Sequence, residues 1–175
     1  MDTHPLEETH RDRGSPRAPA PLLVAEASGL EPGQALDAGC GEGADALWLA
    51  RRGWKVTAVD LSRAALRRAA AASADVAGRI AWACGDLNEA PPPPASFDLV
   101  WLHHFPVPRR PGHTALRGLL DAVAPGGTLL FAARRPGQGS GPAGHYRPAD
   151  AAALLGGGWT VLARGGTVLR ARRDR

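Results

Sequence analysis

The sequence has few cysteines and no long hydrophobic run, and both scarcities restrict the kind of protein it can encode. Cys40 and Cys84 are the only cysteines, and their spacing fits neither a zinc site nor a disulfide framework. A membrane span needs about 18 consecutive apolar residues, and no such run exists. The first residues also lack the apolar core of a secretory signal. We therefore expect a cytoplasmic protein with free thiols, no membrane association and no bound metal.

Lysine is almost missing as well. Lys55 is the only one, so arginine carries nearly all of the positive charge behind the formal net charge of +4. Alanine, glycine and proline are abundant alongside it, which is the composition that a GC-rich genome produces. Apart from residues 170–175, the arginines are scattered, whereas a nucleic-acid site needs them clustered. The charge therefore indicates a solvated basic surface and disfavours a nucleic-acid partner.

The length of 175 residues is enough for one domain with a sizeable core. Residues 1–20 are charged and proline-bearing without periodicity, so the sequence predicts a disordered segment there and a single folded domain over 21–175. Within that domain, strand-like and helix-like segments alternate, and two strand-like segments joined by Gly165-Gly166 form a terminal hairpin. This alternation predicts an α/β fold with a mostly parallel sheet and helices on both faces.

The boundaries of these elements follow from hydrophobic periodicity and from breaker residues. Ser62 is a suitable N-cap, Gly78 ends the helix that follows it, and Pro125 ends another. Beyond the first two strands, the predicted strands are residues 80–84, 97–102, 128–133, 159–163 and 167–171. The predicted helices are residues 22–30, 44–52, 63–77, 116–123 and 148–155.

The most informative segment runs from Leu36 to Leu61. It predicts a buried strand, a glycine turn into a helix, and a second strand that ends on Asp60. The turn from Gly39 to Gly43 carries little side-chain bulk, so its backbone N–H groups can approach a ligand closely. A carboxylate some 17 residues beyond Gly43 can bind the diol of a ribose. The segment therefore predicts a site for a nucleoside cofactor.

Two cofactor classes fit these glycines. Gly39, Gly41 and Ala44 match the pattern G-x-G-x-x-G/A, which is typical of NAD and flavin enzymes. Asp37, just before the first glycine, suits the cationic methionine end of S-adenosylmethionine and would repel a pyrophosphate. Asp37 thus favours S-adenosylmethionine, and a dinucleotide oxidoreductase is the more distant alternative.

Further motifs follow in order along the chain: Gly85-Asp86-Leu87, Phe97-Asp98-Leu99-Val100 and Pro125-Gly126-Gly127. With them, the segment from Leu36 to Phe131 resembles a class I S-adenosylmethionine-dependent methyltransferase. The run from Asp37 to Trp54 is similar to the tellurite-resistance and thiopurine methyltransferase branch and its uncharacterised bacterial relatives. The resemblance implies a Rossmann-like sheet of seven strands with one antiparallel strand from the hairpin, S-adenosylmethionine as cofactor and S-adenosylhomocysteine as product.

The resemblance also implies which residues bind the cofactor. Each carboxylate among them has an alternative role as a turn or strand-end cap, which the sequence leaves open. The implied contacts are Asp37 and the backbone of Gly39, Cys40, Gly41 and Gly43 for the methionine part, Asp60 for the ribose, Asp86 for the adenine amine, Leu61 and Leu87 on either side of the adenine ring, and Leu102 at the end of the fourth strand.

His103 and His104 follow that fourth strand, where class I enzymes present residues to the substrate. A histidine there can deprotonate a hydroxyl, amine or thiol near neutral pH, so either one is a candidate base. Strand alternation predicts that only one of them faces the pocket, and a capping role for the strand end is equally open. Residues 113 and 145–147 are predicted to lie in loops, as surface residues or as substrate contacts.

The sequence also lacks the signatures of several methyl acceptors. Residues 102–106 contain neither the [DNS]-P-P-[YFW] tetrad of amide or base-nitrogen methylation nor the Pro-Cys nucleophile of cytosine carbon-5 methylation. No carboxylate cluster follows the fourth and fifth strands to hold magnesium. We therefore expect a small-molecule acceptor with an O, N, S or chalcogen nucleophile. An RNA or protein acceptor is the first alternative.

Residues 1–47 contain no Trp, Tyr or Phe. In the branch that the sequence resembles, aromatic residues of this segment usually fold over the cofactor and the substrate. This departure keeps open a second alternative, a catalytically silent domain that binds the cofactor or a partner. The sequence is compatible with a monomer or a homodimer.

Overall fold

A computed structural model describes residues 18–134 and 144–175 of the chain. The predicted disorder of residues 1–20 therefore falls, up to residue 17, outside the described residues. Ala20 is buried, and its backbone amide donates to Oδ1 of Asp45 over 2.7 Å. The packed structure thus includes at least one residue ahead of the predicted start at Pro21.

Helices and strands alternate along the chain as predicted. Within the described ranges, the helices are α1 (Pro21–Ala27), α2 (Ala44–Arg51), α3 (Arg63–Ala71), α4 (Thr114–Asp121) and α5 (Pro148–Leu154). The strands are β1 (Gln34–Ala38), β2 (Lys55–Asp60), β3 (Ile80–Cys84), β4 (Phe97–His103), β5 (Val123–Ala132), β6 (Trp159–Arg164) and β7 (Val168–Arg173).

One helix boundary differs clearly from the prediction. Ser62 caps α3 as expected, since the backbone amide of Ala65 donates to its Oγ over 3.2 Å. The helix, however, ends at Ala71 instead of near Ala77, and a short 3-10 turn over Ala74–Val76 follows. The hydroxyl and the amide of Ser73 both donate to the carbonyl of Ala70, and this local bonding replaces the continuation of the helix.

The seven strands form one sheet in the order β3-β2-β1-β4-β5-β7-β6. β1 lies in the middle and pairs in parallel with β2 on one side and β4 on the other. β7 runs antiparallel to both β5 and β6, so it is the expected antiparallel strand. The predicted Rossmann-like sheet is therefore confirmed, and its strand order reverses between β1 and β4.

β5 begins at Val123, earlier than the predicted start at Thr128. Phe97 already pairs with Val123, and the strand register then shifts between Phe97 and Leu99. The Pro125-Gly126-Gly127 segment lies inside this irregularity. The glycine-rich turn that was expected to precede the strand is thus part of it.

Apolar side chains cover both faces of the sheet, which explains the nearly continuous hydrophobic runs of the central strands. Leu99 and Trp101 of β4 pack with α1 and α2 on one face. Val100 and Leu102 alternate with them and pack with α4 and α5 on the other. Residues 99–102 of β4 are therefore fully buried on both faces of the sheet.

An ion pair joins the beginning of the fold to its end. Glu26 of α1 pairs with Arg170 of β7, and both side chains are largely buried. On β7, Leu169 and Ala171 are fully buried in the core. The last strand is therefore an interior part of the sheet, bonded to a helix from the start of the domain.

Gly43 is one of the glycines at which packing leaves no room for a side chain. Its φ is +81°, and a Cβ built there would lie 2.5 Å from the ring of Trp82. Gly78 has the same φ of +81°, but a Cβ there would meet nothing within 4 Å. Substituting Gly43 and Gly78 in parallel therefore separates the energetic cost of left-handed backbone strain from that of steric overlap.

We therefore expect Gly43→Ala to lower the free energy of unfolding by about 2 to 4 kcal/mol, the sum of left-handed strain and overpacking. Gly78→Ala, with strain alone, should cost about 1 to 2 kcal/mol. Urea unfolding of both variants measures the difference. Equal losses would show that Trp82 moves aside freely.

Candidate active site

The carboxyl ends of β1, β2 and β4 meet at one edge of the sheet. Ala38, the last residue of β1, pairs with Val59 of β2 and with Leu102 of β4. The glycine turn, Asp60 and the two histidines all follow these pairs directly, and Asp86 follows the neighbouring β3. The structure thus brings the predicted positions together at the reversal of strand order, where open α/β sheets bind ligands.

Most backbone amides of the glycine turn are bonded within the protein. The amides of Gly39 and Cys40 both donate to the carbonyl of Val59, over 2.8 and 3.0 Å. The amide of Gly43 donates to the carbonyl of Cys40 over 2.9 Å. The amide of Gly41 donates to Oδ2 of Asp60 over 2.8 Å. These bonds shape the turn itself, and a contact of its backbone with a ligand stays a prediction.

Asp60 ties this turn to the end of β2. Besides the Gly41 amide on Oδ2, its Oδ1 accepts from the amide of Ser62 over 2.8 Å. A carboxylate oxygen has two lone pairs, so each oxygen keeps one for a hydroxyl. Asp60 can therefore act both as the strand-end cap and as a ribose acceptor, the two roles that the sequence left open.

Asp37 is a buried carboxyl beneath the turn. Its side chain is 1% exposed, and Oδ2 has no hydrogen-bond partner. Burial raises its pKa well above the ordinary aspartate value, and the negative charges of Asp45 and Asp60 add to this effect. Burial together with Asp37 and Asp60 likewise raises the pKa of the Cys40 thiol, which stays protonated. A cation bound at this end of the sheet would stabilise the charged form of Asp37.

The residues expected around an adenine ring divide into accessible and inaccessible side chains. Asp86 closes a local turn, with its Oδ1 accepting from the amide of Asn88 over 2.9 Å. Leu61 is 46% exposed and is available to pack on a planar ring. Leu87 and Leu102 are 7% and 0% exposed in the core, which leaves Leu102 only its backbone for a ligand.

Phe105 is a neighbour of the turn that the sequence analysis did not select. A Cβ built on Gly39 would lie 3.0 Å from Cδ2 of the Phe105 ring, so the ring packs directly on the bare backbone. Gly39 has a φ of +72°, which also disfavours a side chain there. The glycine thus admits an aromatic ring to the crevice.

The two histidines lie side by side, and strand alternation does not separate them. β4 ends at His103, and His104 has a φ of +56°, which turns the chain out of the strand. The ring centroids are 4.1 Å apart. The alternation of side chains stops at His103, so it cannot decide which ring faces the pocket. That only one ring does so stays a prediction without this support.

The surroundings of His104 weaken it as a base. Burial lowers its pKa to about 4, and the positive charges of His103 and Arg134 act in the same direction. At neutral pH it is therefore uncharged and binds a proton poorly. Of the pair, His103 is the better candidate for taking a proton.

Asp45 is the site residue that sequence reasoning missed. It lies in the first turn of α2, and its Oδ2 is 3.5 Å from Nδ1 of His103. Oδ2 also accepts from the indole Nε1 of Trp101 over 2.8 Å. Its position, two residues after the last glycine, was the available signal. A helix-start aspartate, however, is ordinarily explained by the helix dipole.

The chain after β4 is held to the segment that precedes α5. Tyr146 is buried, its amide donates to the carbonyl of Val107, and its hydroxyl bonds to Nδ1 of His113. Arg147 immediately precedes α5, and its amide donates to Oδ2 of Asp150 over 2.9 Å. These residues therefore stabilise the loop beside the crevice, and Tyr146 is not a surface residue.

Between residues 18–134 and 144–175, no group of three or more His, Cys, Asp or Glu could hold a metal ion. No helix within the same ranges is both long and apolar enough to cross a membrane.

Comparison with known proteins adds a family to this geometry. Residues 35–127 match the family described as a methyltransferase domain. An uncharacterized methyltransferase of Mycobacterium tuberculosis is 45% identical over 98 residues, which cover 54% of this chain and 47% of the relative. The malonyl-acyl-carrier protein O-methyltransferase of Pseudescherichia vulneris is 34% identical over 115 residues, covering 66% of this chain and 44% of the relative.

A solved structure agrees with the fold over most of the chain. The apo form of the S-adenosylmethionine-dependent methyltransferase SibL superposes with a TM-score of 0.62 at 26% identity, covering 89% of this chain and 54% of that one. The chain spans about half the length of the curated relatives it matches.

The buried carboxyl of Asp37 gives a prediction for the ligand-free protein. Because its pKa is raised on folding, the folded state holds a proton that the unfolded state releases, and stability falls as the pH rises above the ordinary aspartate range. Asp37→Asn removes the ionisable group and with it this loss of stability, so the melting temperature at pH 7 should rise by about 2 to 4 °C for each kcal/mol gained. The variant should also lose that part of the pH dependence.

Asp75→Asn is the matched control, because Asp75 is an exposed carboxylate paired with Arg51. It removes the same charge but should not raise the melting temperature. Scanning calorimetry from about pH 5 to about pH 8, where an ordinary aspartate is ionised, compares the two. A lower melting temperature for Asp37→Asn across this range would contradict the assignment.

Proposed function

The chain belongs to the methyltransferase domain family, and on that premise we propose that it transfers a methyl group from S-adenosylmethionine to a small-molecule acceptor. The observation that carries this proposal is the buried carboxyl of Asp37 beneath the glycine turn, whose Oδ2 has no hydrogen-bond partner. Ionising a buried carboxyl costs stability unless a cation compensates its charge. A sulfonium cofactor with an ammonium group supplies the missing positive charge.

The other residues of the crevice fit the same cofactor. When bound, it supplies an electrophilic methyl group on a sulfonium centre. Asp37 and the carbonyl oxygens of the turn would face its cationic part, and Asp60 would bind the ribose hydroxyls. Asp86 would accept from the adenine amine, with the exposed Leu61 against the ring. No residue in this set requires a metal.

The same charges disfavour the dinucleotide alternative. A pyrophosphate needs free amide donors, but the amides of Gly39, Cys40 and Gly41 are already bonded inside the protein. Asp37 would also repel its negative charge. An NAD enzyme is therefore the weaker reading of this turn.

A small-molecule acceptor with a proton to lose agrees best with the site. Methyl transfer depends mainly on positioning donor and acceptor, and a base is needed where the acceptor must be deprotonated. His103 and His104 lie at the end of β4 for that purpose, and His103 is the better base of the two.

Several narrower predictions concern the branch of the family, the location and the oligomeric state. Membership of the tellurite-resistance and thiopurine branch, a cytoplasmic location and a monomeric or homodimeric state remain predictions. An RNA or protein acceptor would be indicated by salt-dependent RNA binding, or by label transfer to protein. A catalytically silent domain would bind the cofactor without turnover on any acceptor.

The direct test is calorimetric titration with S-adenosylmethionine, S-adenosylhomocysteine and NAD, followed by an acceptor screen with a radiolabelled methyl donor. Micromolar binding of the two sulfur nucleosides without an NAD signal would support the proposal. Binding of NAD alone would contradict it and favour the oxidoreductase. Binding of none of the three would favour a catalytically silent domain that binds a partner.

The ribose assignment gives a prediction of its own. Asp60→Ala removes the acceptor of the hydroxyls and loosens the turn, so the affinity for S-adenosylmethionine should fall about 5- to 150-fold, a loss of about 1 to 3 kcal/mol. Asp98→Ala is the control, because Asp98 also accepts a backbone amide, from Gln34 over 2.8 Å, but at the opposite end of the sheet. Calorimetry should find its affinity unchanged. Equal effects of both substitutions would argue against a ribose contact.

A further inference from the structure

We propose that Asp45 is a positioning residue, which holds His103 in the Nδ1–H form so that Nε2 takes the proton from the methyl acceptor. This inference rests on the proposed function and narrows its acceptor to a group that carries a removable proton. It involves a carboxylate outside the glycine motif and a histidine of a neighbouring strand.

The first support is that Asp45 is itself held firmly. Its side chain is only 13% exposed, and it lies in the first turn of α2. Oδ1 accepts from the backbone amide of Ala20 over 2.7 Å, and Oδ2 accepts from Nε1 of Trp101 over 2.8 Å. Trp101 is fully buried in β4. A carboxylate with two bonds from fixed donors cannot follow a mobile partner, so it dictates the partner's orientation.

The second support is the placement of the His103 ring. Its Nδ1 lies 3.5 Å from Oδ2 of Asp45, and its ring stacks on Trp101 with centroids 5.0 Å apart and planes at 21°. The stacking restricts the plane of the ring, and the carboxylate lies beside one of its two nitrogens. A carboxylate accepts hydrogen bonds and does not donate them, so this placement favours a hydrogen on Nδ1. In the neutral ring, Nε2 then keeps its lone pair.

The third support is electrostatic. Burial opposes the charge on Asp45, but the hydrogen bonds from its three partners outweigh this effect and hold its pKa below the ordinary value. Asp45 is therefore negative at neutral pH, where a ring that gains a proton becomes positive. The neighbouring His104 is uncharged at neutral pH, and the cationic Arg134 acts on His104. Asp45 is the anion of this group.

The arrangement of Asp45 and His103 suits a proton transfer from the acceptor to His103. Nε2 of His103 takes the proton that a hydroxyl, thiol or ammonium acceptor loses on methylation. The acceptor atom keeps that bonding pair and uses it for the new bond to carbon, while the pair of the broken carbon–sulfur bond stays on sulfur. An acceptor that is already a stable anion, such as a carboxylate, needs no such base. The dyad therefore favours protic acceptors.

The test is the tautomer of His103, measured by long-range ¹H–¹⁵N NMR of the ligand-free protein above pH 7. In water, histidine prefers the Nε2–H form, so a default ring and an Asp45-bound ring give opposite patterns. We expect the Nδ1–H pattern in the natural protein. Asp45→Asn, and Asp45→Ala as a second variant, should shift His103 toward the Nε2–H pattern.

Asp75→Asn is the matched control, because Asp75 is an exposed carboxylate whose partner is Arg51 and not His103. It removes the same kind of charge, so the Nδ1–H pattern should persist. A purely structural role of Asp45 would affect the melting temperature of the variants without changing the tautomer. With an acceptor from the screen, Asp45→Ala should lower kcat at least tenfold, with the KM for S-adenosylmethionine little changed.

The outcomes separate this inference from the proposed function. An Nε2–H ring in the natural protein, or an Nδ1–H ring that survives both Asp45 substitutions, would overturn the positioning role even if S-adenosylmethionine binds. An Nδ1–H ring that both substitutions abolish would support it. Absence of cofactor binding in the calorimetric titration would remove the proposed function, whatever the tautomer.

Discussion

Negative charge gathered at the reversal of a parallel sheet is the constraint on which this site depends. The charges of Asp45 and Asp60 act on the pKa of Asp37, and each of the three carboxyl groups has different hydrogen-bond partners. Asp60 is compensated by two backbone amides, and Asp45 by three neighbouring donors. Asp37 alone keeps an oxygen without a partner. Such a cluster lowers the stability of the ligand-free fold, and the same cluster gives it an attraction for a cation.

The sequence was sufficient for the fold because the relevant signals are local. Hydrophobic alternation, the Ser62 cap and the glycine turn lie within their own elements, and the sheet order and the methyltransferase family confirm what they indicated. The wrong predictions arose where a hydrogen bond or a backbone angle overrides a local sequence pattern. Ser73 shortens α3 through the carbonyl of Ala70, and the positive φ of His104 ends the alternation on which the histidine argument relied.

The dyad of Asp45 and His103 could not be read from spacing, because its parts are distant in the chain. Asp45 and Trp101 are 56 positions apart, and Ala20 is 25 positions before Asp45. They meet only once β1 and β4 pair and α2 packs against them. The glycine motif drew attention to backbone donors, yet those amides shape the turn itself. The catalytic hypothesis thus depends on tertiary contacts, while the cofactor hypothesis depends on the motif.

The interior position of β7 also determines when the domain can fold. The chain makes the edge strand β6 first and then returns to insert β7 between β5 and β6. Arg170 in that strand pairs with Glu26, 144 positions earlier. During synthesis, β5 therefore has an unpaired edge until β7 has left the ribosome. Contacts of such long range slow folding, and the unpaired edge of β5 is a site for aggregation until β7 is in place.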